Sequence, residues 1–141
     1  MTKKEAIHAG LELVEKSSTL ILGTVDENGY PNSKALFKME HDGLKHFWFG
    51  TNTSSMHLQQ IIRNPKASVY AVDFKNFMGL TLLGTIKILQ DQKSKQRLWR
   101  EGFEMYYPQG VTDPDYSVLH FSTKVARYYH GLEKITFEVF D

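Results

Sequence analysis

The stretch Thr51-Asn52-Thr53-Ser54-Ser55 sets four hydroxyl side chains around one carboxamide. Such side chains accept from free backbone N–H groups, which marks the start of a helix. The helix continues through Met56, Leu58, Ile61 and Ile62 to Arg63, and Asn64-Pro65 stops it. A helix amino end presents unpaired N–H groups and about half a positive charge, so it is a ready anion site. Thr51, Ser54 and Ser55 can add hydroxyl donors, and Lys34 on the neighbouring hairpin can supply a formal charge. The plainer alternative is an ordinary Ser/Thr helix cap.

Several other chemistries are absent from the sequence. There is no cysteine, which excludes thiol catalysis, zinc–thiolate sites and disulfide scaffolds and fits a cytoplasmic protein. His8, His41, His46, His57, His120 and His130 show neither His-x-His nor His-x-x-x-His spacing, so no metal site is expected. The serine-hydrolase pattern Gly-x-Ser-x-Gly does not occur. Seventeen Lys and Arg against 16 Asp and Glu leave a net charge of +1, too little to recruit nucleic acid or an anionic membrane. Phe47, Trp48 and Phe49 therefore read as core and dimer surface rather than as a base-stacking strand. Asp113 and Asp115 read as turn residues around Pro114.

The elements that must position these residues follow from pattern. With 141 residues, 41% of them apolar, the chain suits one globular domain at roughly 150 residues per domain. The amino end is basic without an apolar signal core, and no apolar run nears the roughly 18 residues of a membrane span, so a soluble protein is expected. Thr2 and Glu5 form a capping box ahead of a helix with Ile7, Leu11 and Val14 on one face. Thr19–Val25 and Ser33–Met39 form a hairpin across Asp26-Glu27-Asn28-Gly29. In its second strand Ala35, Phe37 and Met39 face one way, and Lys34, Leu36 and Lys38 the other.

Further strands are expected at 44–50, 67–73 and 79–89, where Gly84 signals a bulge or a close backbone approach. A third helix is expected over 94–107, burying Leu98, Trp99, Phe103 and Tyr106, then a loop over 110–115. Strands at 116–122, 125–130 and 135–140 complete a mainly β (α+β) chain, a small antiparallel barrel flanked by helices.

A basic residue shortly after a Pro, an aromatic strand ending in Gly50-Thr51-Asn52, and a Ser-led helix stopping at Asn64-Pro65 resemble the FMN-binding split-barrel family. That family includes the pyridoxamine-phosphate oxidases and the flavin-binding general stress proteins. Trp99, the stretch Tyr107-Pro108-Gln109-Gly110, and Asp113-Pro114-Asp115 are closer to the general-stress-protein branch. The resemblance implies a homodimer of six-stranded Greek-key split barrels with FMN in each of two interface clefts. Lys34 matches the family's phosphate-holding arginine, and Ala35, Leu36 and Phe37 match the stretch whose backbone lies along the flavin ring. Gly50 and Thr51 match the pair beside the ribityl chain, and Ser55 the hydroxyl at the helix start. Gly79 falls where the oxidases use a glutamine from the facing subunit.

Two departures stand at the phosphate end. Met56 replaces the usual Arg and His57 the usual Lys, and a neutral His donates only one hydrogen bond. Weak or exchangeable FMN is therefore expected, tightening as pH falls from 8 towards 6 if protonated His57 grips the phosphate. Pyridoxamine-phosphate oxidase activity is not expected. Those enzymes use a carboxy-terminal Arg-x-His segment, and Arg127-Tyr128-Tyr129-His130 has the wrong spacing. The leading reading is an FMN-dependent oxidoreductase-like protein whose electron donor, nicotinamide or other, and acceptor are open. The alternatives are a non-catalytic flavin-binding stress protein that buffers or senses FMN, and a cofactor-free interaction module.

Overall fold

Alternation of apolar and polar residues makes β1 (Thr19–Val25), which buries Leu20, Leu22 and Thr24 on one face. A computed structural model describes the whole chain, Met1–Asp141. Asp26 closes the first hairpin by accepting from the amides of Asn28 and Tyr30, both at 2.9 Å, and Gly29 supplies the positive φ of 83°. The hairpin returns as β2 (Pro31–Asp42), with Lys34 opposite Leu22 and Phe37 opposite Thr19.

The chain continues through β3 (His46–Asn52), α2 (Met56–Arg63), β4 (Lys66–Asp73) and β5 (Met78–Leu89). β6 (Tyr116–His130) and β7 (Glu133–Glu138) complete the sheet. Its order is β3-β2-β1-β4-β5-β6-β7, and β3 also pairs with β6. That closure makes an antiparallel barrel of β1 to β6 with β7 outside it, which is the mainly β split-barrel architecture expected. Leu20, Leu22, Phe47, Phe49, Leu80, Leu82, Leu119 and Phe121 fill the barrel, each at most 1% exposed.

The first helix, α1 (Lys3–Lys16), carries the expected capping box: Thr2 Oγ1 accepts from the Glu5 amide, and the Glu5 carboxylate accepts from the Thr2 amide. Its buried face differs from expectation. Ala6, Gly10, Leu13 and Val14 are buried, while Ile7 is 37% exposed. The reason is close approach, since a Cβ on Gly10 would lie 3.3 Å from Leu80 Cδ1. Small residues let α1 sit down on the barrel.

The two strands expected at 116–122 and 125–130 are one strand, β6. Leu83 pairs with Val125 and Gly84 with Thr123, so Lys124 is an unpaired bulge residue. Up to Ser122 the strand has β3 as its second neighbour, and from Val125 onward it has β7. The bulge bends the strand where it changes partners.

The third helix, α3 (Gln92–Leu98), is capped by Asp91 and is shorter than expected. The helix ends where Trp99 turns extended (φ −62°, ψ 137°), and after Gly102, at φ 95°, a 3-10 turn follows over Phe103–Met105. Consequently Tyr106 is 64% exposed instead of buried, and Tyr107 is buried in its place. Leu98, Trp99, Phe103 and Tyr107 pack over Tyr116 and Val118 on the outside of the barrel. A second 3-10 turn, Gly110–Thr112, occupies part of the expected loop. No helix is long and apolar enough to cross a membrane.

Candidate functional site

The end of β3, the start of α2 and the middle of β2 meet at one cleft of about 590 Å3. Lys34, Leu36, Phe37, Gly50, Thr51, Ser55, Met56 and His57 all line it, so most of the residues singled out from the sequence converge there. Ser54, Ala35 and Gly79 do not. Ala35 stands on the outer side of β2, opposite to the inward-turned Leu36, which is 8% exposed. Gly79 lies on β5 beneath the Tyr129 ring, where an added Cβ would come within 2.4 Å of that ring.

Ala35 and Gly79 nevertheless share one outer barrel face. Ala35 pairs with Ile21, Ile21 with Tyr70, and Tyr70 with Thr81, two residues along from Gly79. Directly paired residues point to the same side of a sheet. Phe37, 71% exposed, extends this face to the cleft rim.

The polar end of the cleft is built by the hydroxyl stretch. Ser55 is the N-cap residue of α2 yet makes no side-chain cap bond. Its Oγ lies 3.2 Å from His57 Nε2, and Thr51 Oγ1 lies 2.8 Å from the same nitrogen. The amides of the first turn of α2 are left without a side-chain acceptor, contrary to the expected Ser/Thr cap. His57 is buried, and burial, reinforced by the Lys34 charge, pushes its pKa below the usual histidine value. Lys34 is exposed and makes no ion pair. A smaller polar cavity of about 130 Å3 adjoins this end, between Lys34, His57, Thr24, Asn32, Ser33 and Gln60.

The other end is aromatic. Met39, Phe103, Tyr106 and Tyr107 line it together with Leu36 and Phe37. Burial and then the Asp115 carboxylate raise the Tyr107 hydroxyl to about 12, so it stays protonated. No Asp or Glu lines the cleft. The arrangement can hold an anion at one end and an apolar ring system at the other, and it lacks a carboxylate for acid–base work.

Sequence reasoning missed the cleft role of Met39 and Phe103; it read Tyr106 and Tyr107 as core, with shielding of a flavin face as the alternative, and both line the cleft. The available signal was the run Phe103-x-x-Tyr106-Tyr107, which helical periodicity assigned to a core face. It also took Asp115 as a turn residue. Asp115 does sit in that turn and in addition crosses to the hydroxyl stretch, with Oδ1 accepting from the Ser54 amide at 2.9 Å and Oδ2 from Asn52 Nδ2 at 3.1 Å.

Comparison with known proteins places this geometry. No curated protein matches the chain. A protein from Clostridium acetobutylicum, related to general stress protein 26 of B. subtilis and described as of the pyridoxinephosphate oxidase family, has a similar crystal structure. The likeness covers 98% of this chain and 97% of that one, at 46% identity and a TM-score of 0.89. General stress protein 26 from Bacillus anthracis is similar over 99% and 100% of the two chains, at 19% identity and a TM-score of 0.76. A heme-binding protein from Mycobacterium smegmatis is similar over 98% of this chain and 60% of its own, at 15% identity and a TM-score of 0.77. These last two likenesses concern the fold alone. The family model described as pyridoxamine 5'-phosphate oxidase matches residues 6–130, spanning β1 to β6 and every residue of the cleft, and the chain therefore belongs to the pyridoxamine 5'-phosphate oxidase family.

Proposed function

We propose that the 141 residues act as one FMN-binding domain of the oxidoreductase-like, general-stress kind, with the flavin held at a homodimer interface in the cytoplasm. The observation that carries this reading is the polarity of the cleft. Lys34, the uncapped start of α2 and the Thr51–Ser55–His57 hydroxyl and imidazole cluster gather at one end, and Leu36, Phe37, Phe103 and Tyr106 at the other. A phosphate dianion fits the first end through free amides and one cation. A flat ring fits the second, and the absent side chain of Gly50 leaves room against Tyr116 and Phe103, each beyond 3.5 Å of an added Cβ. When bound, FMN would supply hydride and electron transfer. The chain would bind the phosphate, orient the ring and exclude water from its apolar side.

The outer face running from the exposed Phe37 and Ala35 through the half-buried Ile21 and Tyr70 to Tyr129, which covers Gly79, supports the dimer, because it continues the cleft rim across the barrel. Gly79 would then stand at the partner's cleft. One cation in place of the family's several supports weak, exchangeable FMN, and the lack of a second anion site supports a substrate other than pyridoxamine phosphate.

Titration of the protein with FMN, riboflavin and FAD, followed by flavin fluorescence, tests this reading. Preference for FMN over riboflavin is expected. Equal affinity for both overturns the phosphate site, and no binding leaves a cofactor-free module. Bleaching of bound flavin by NADH or NADPH with turnover supports an oxidoreductase; binding without turnover supports a buffer or sensor.

The pH dependence has a definite sign. Burial and then the Lys34 charge lower the His57 pKa and so favour its neutral form before any anion binds. A phosphate dianion in contact reverses the local field and raises that pKa, so FMN binding takes up a proton. FMN affinity is expected to rise as pH falls from 8 to 6.5, a window above the phosphate's own second pKa of about 6. Riboflavin affinity is expected to stay flat, and His57→Gln to flatten the FMN profile. A flat wild-type profile with the apoprotein folded removes His57 from the phosphate.

A further inference from the structure

Beyond Asn52, where β3 ends, the hydroxyl stretch at the polar end has no regular structure of its own to hold it. Its restraints come from a distant part of the chain, the turn that precedes β6. The Thr53 amide donates to the Asp115 carbonyl at 2.6 Å, and Thr53 Oγ1 donates to the Pro114 carbonyl at 2.8 Å. The Asp115 carboxylate takes the Ser54 amide and the Asn52 carboxamide on its two oxygens. Those bonds hold its pKa below the ordinary carboxylate value, the Ser54 amide being the largest cause.

Asp115 is itself braced. Asp113, 5% exposed, accepts from the Asp115 amide at 2.9 Å and from the Gln109 amide at 3.1 Å. Lys95 Nζ donates to the Asp113 carbonyl at 3.0 Å. Tyr107, which lines the aromatic end of the cleft, lies eight residues upstream, and the Gln109 amide ties its segment to Asp113. The segment 107–115 therefore touches both ends.

We propose that Asp115 is a positioning residue of this site: it occupies the Ser54 amide and fixes the stretch 52–54, so that the α2 amides and the Thr51 and Ser55 hydroxyls stay aimed at an anion. The proposal rests on the phosphate reading above and deepens it. A negative charge next to an anion site is unfavourable on electrostatics alone, so its presence here is explained by geometry.

The test measures FMN and riboflavin dissociation constants for wild type, Asp115→Ala and Asp115→Asn, with the thermal midpoint of each apoprotein. Asp115→Ala keeps the main-chain bond from Thr53 and is expected to fold. It is expected to weaken FMN about tenfold and to leave riboflavin within about twofold, the same threshold that marks no change in FMN. Asp115→Asn retains an oxygen for the Ser54 amide and is expected to recover most of the FMN affinity, which loss of charge alone would not do. Unchanged FMN binding in Asp115→Ala overturns the positioning role, as does an equal loss for both ligands. A wild type that does not distinguish the ligands overturns the phosphate reading instead. If Asp115→Ala fails to fold, Asp115→Asn decides alone: wild-type discrimination supports the proposal, and its loss overturns it.

Discussion

Replacing Lys34 with alanine is expected to erase the preference for FMN over riboflavin, weakening FMN by roughly ten- to a hundred-fold. Lys34 is the one permanent cation lining the cleft, and a charge-assisted hydrogen bond contributes about 1.5–3 kcal/mol, which is that range in affinity. His57 substitutes only in part, because burial alone still holds its pKa down. Removing Lys34 relieves the second cause, its own charge, so part of the loss should return at the acid end of the range. Lys34 is exposed and unpaired within the chain, so apoprotein stability should be unchanged. Lys34→Arg should retain the preference, since a guanidinium presents its charge to phosphate with two parallel donors. Raising the salt concentration should weaken wild-type FMN binding and leave Lys34→Ala nearly indifferent. Fluorescence titration at two ionic strengths measures all of this. A Lys34→Ala variant that still prefers FMN would show that the α2 amides suffice without a cation.

The parts of this site legible in the sequence were those that local chemistry dictates. Gly50 through His57 form one contiguous run, and strand–turn–helix grammar alone puts its hydroxyls at a helix start. Lys34 could be joined to it because hairpin pairing over a four-residue turn leaves little freedom in register. What the sequence concealed was long-range. Phe103, Tyr106 and Tyr107 obey a helical spacing, but the helix has already ended at the extended Trp99, and the left-handed Gly102 opens a separate 3-10 turn that leaves Tyr106 outward. Nothing local distinguishes this glycine from one tolerated inside a helix. Asp115 looks like a turn residue because it is one; its carboxylate is used by residues some 60 positions away.

The fold shows the same division. Inward and outward alternation located nearly every strand, and the Thr2 cap located the start of α1, whereas the Asp91 cap of α3 was passed over and the helix expected from Ser94. The face of α1 was misjudged, because periodicity favours large apolar residues whereas the barrel surface demands small ones at closest approach, Ala6 and Gly10. β6 was divided in two at the Ser-Thr-Lys stretch. A bulge and a chain break have the same local signature, polar residues interrupting an alternation, and only the pairing partners on either side tell them apart.

Gly84→Ala is the substitution that probes that bulge most severely, and a loss of about 3 kcal/mol in unfolding free energy is expected. A Cβ at Gly84 would lie 1.9 Å from the Ser122 carbonyl oxygen and 3.0 Å from Thr123 Cα. Both obstacles are backbone of the neighbouring strand, so no rotamer change can relieve the clash. The strands themselves must part, at the point where β6 exchanges β3 for β7. Gly10→Ala gives the contrast: its Cβ would meet only the flexible Leu80 side chain at 3.3 Å, and a loss below about 1 kcal/mol is expected. With total stability of about 5–15 kcal/mol for a domain, the Gly84 variant should remain folded but show a lower urea midpoint at nearly unchanged slope. Separation of β5 from β6 acts far from Lys34 and Ser55, so the ratio of FMN to riboflavin affinity should persist in the folded fraction. A Gly84→Ala midpoint equal to that of wild type would mean that the bulge at Lys124 yields without cost, and that β6 is held to the barrel by its flanking segments alone.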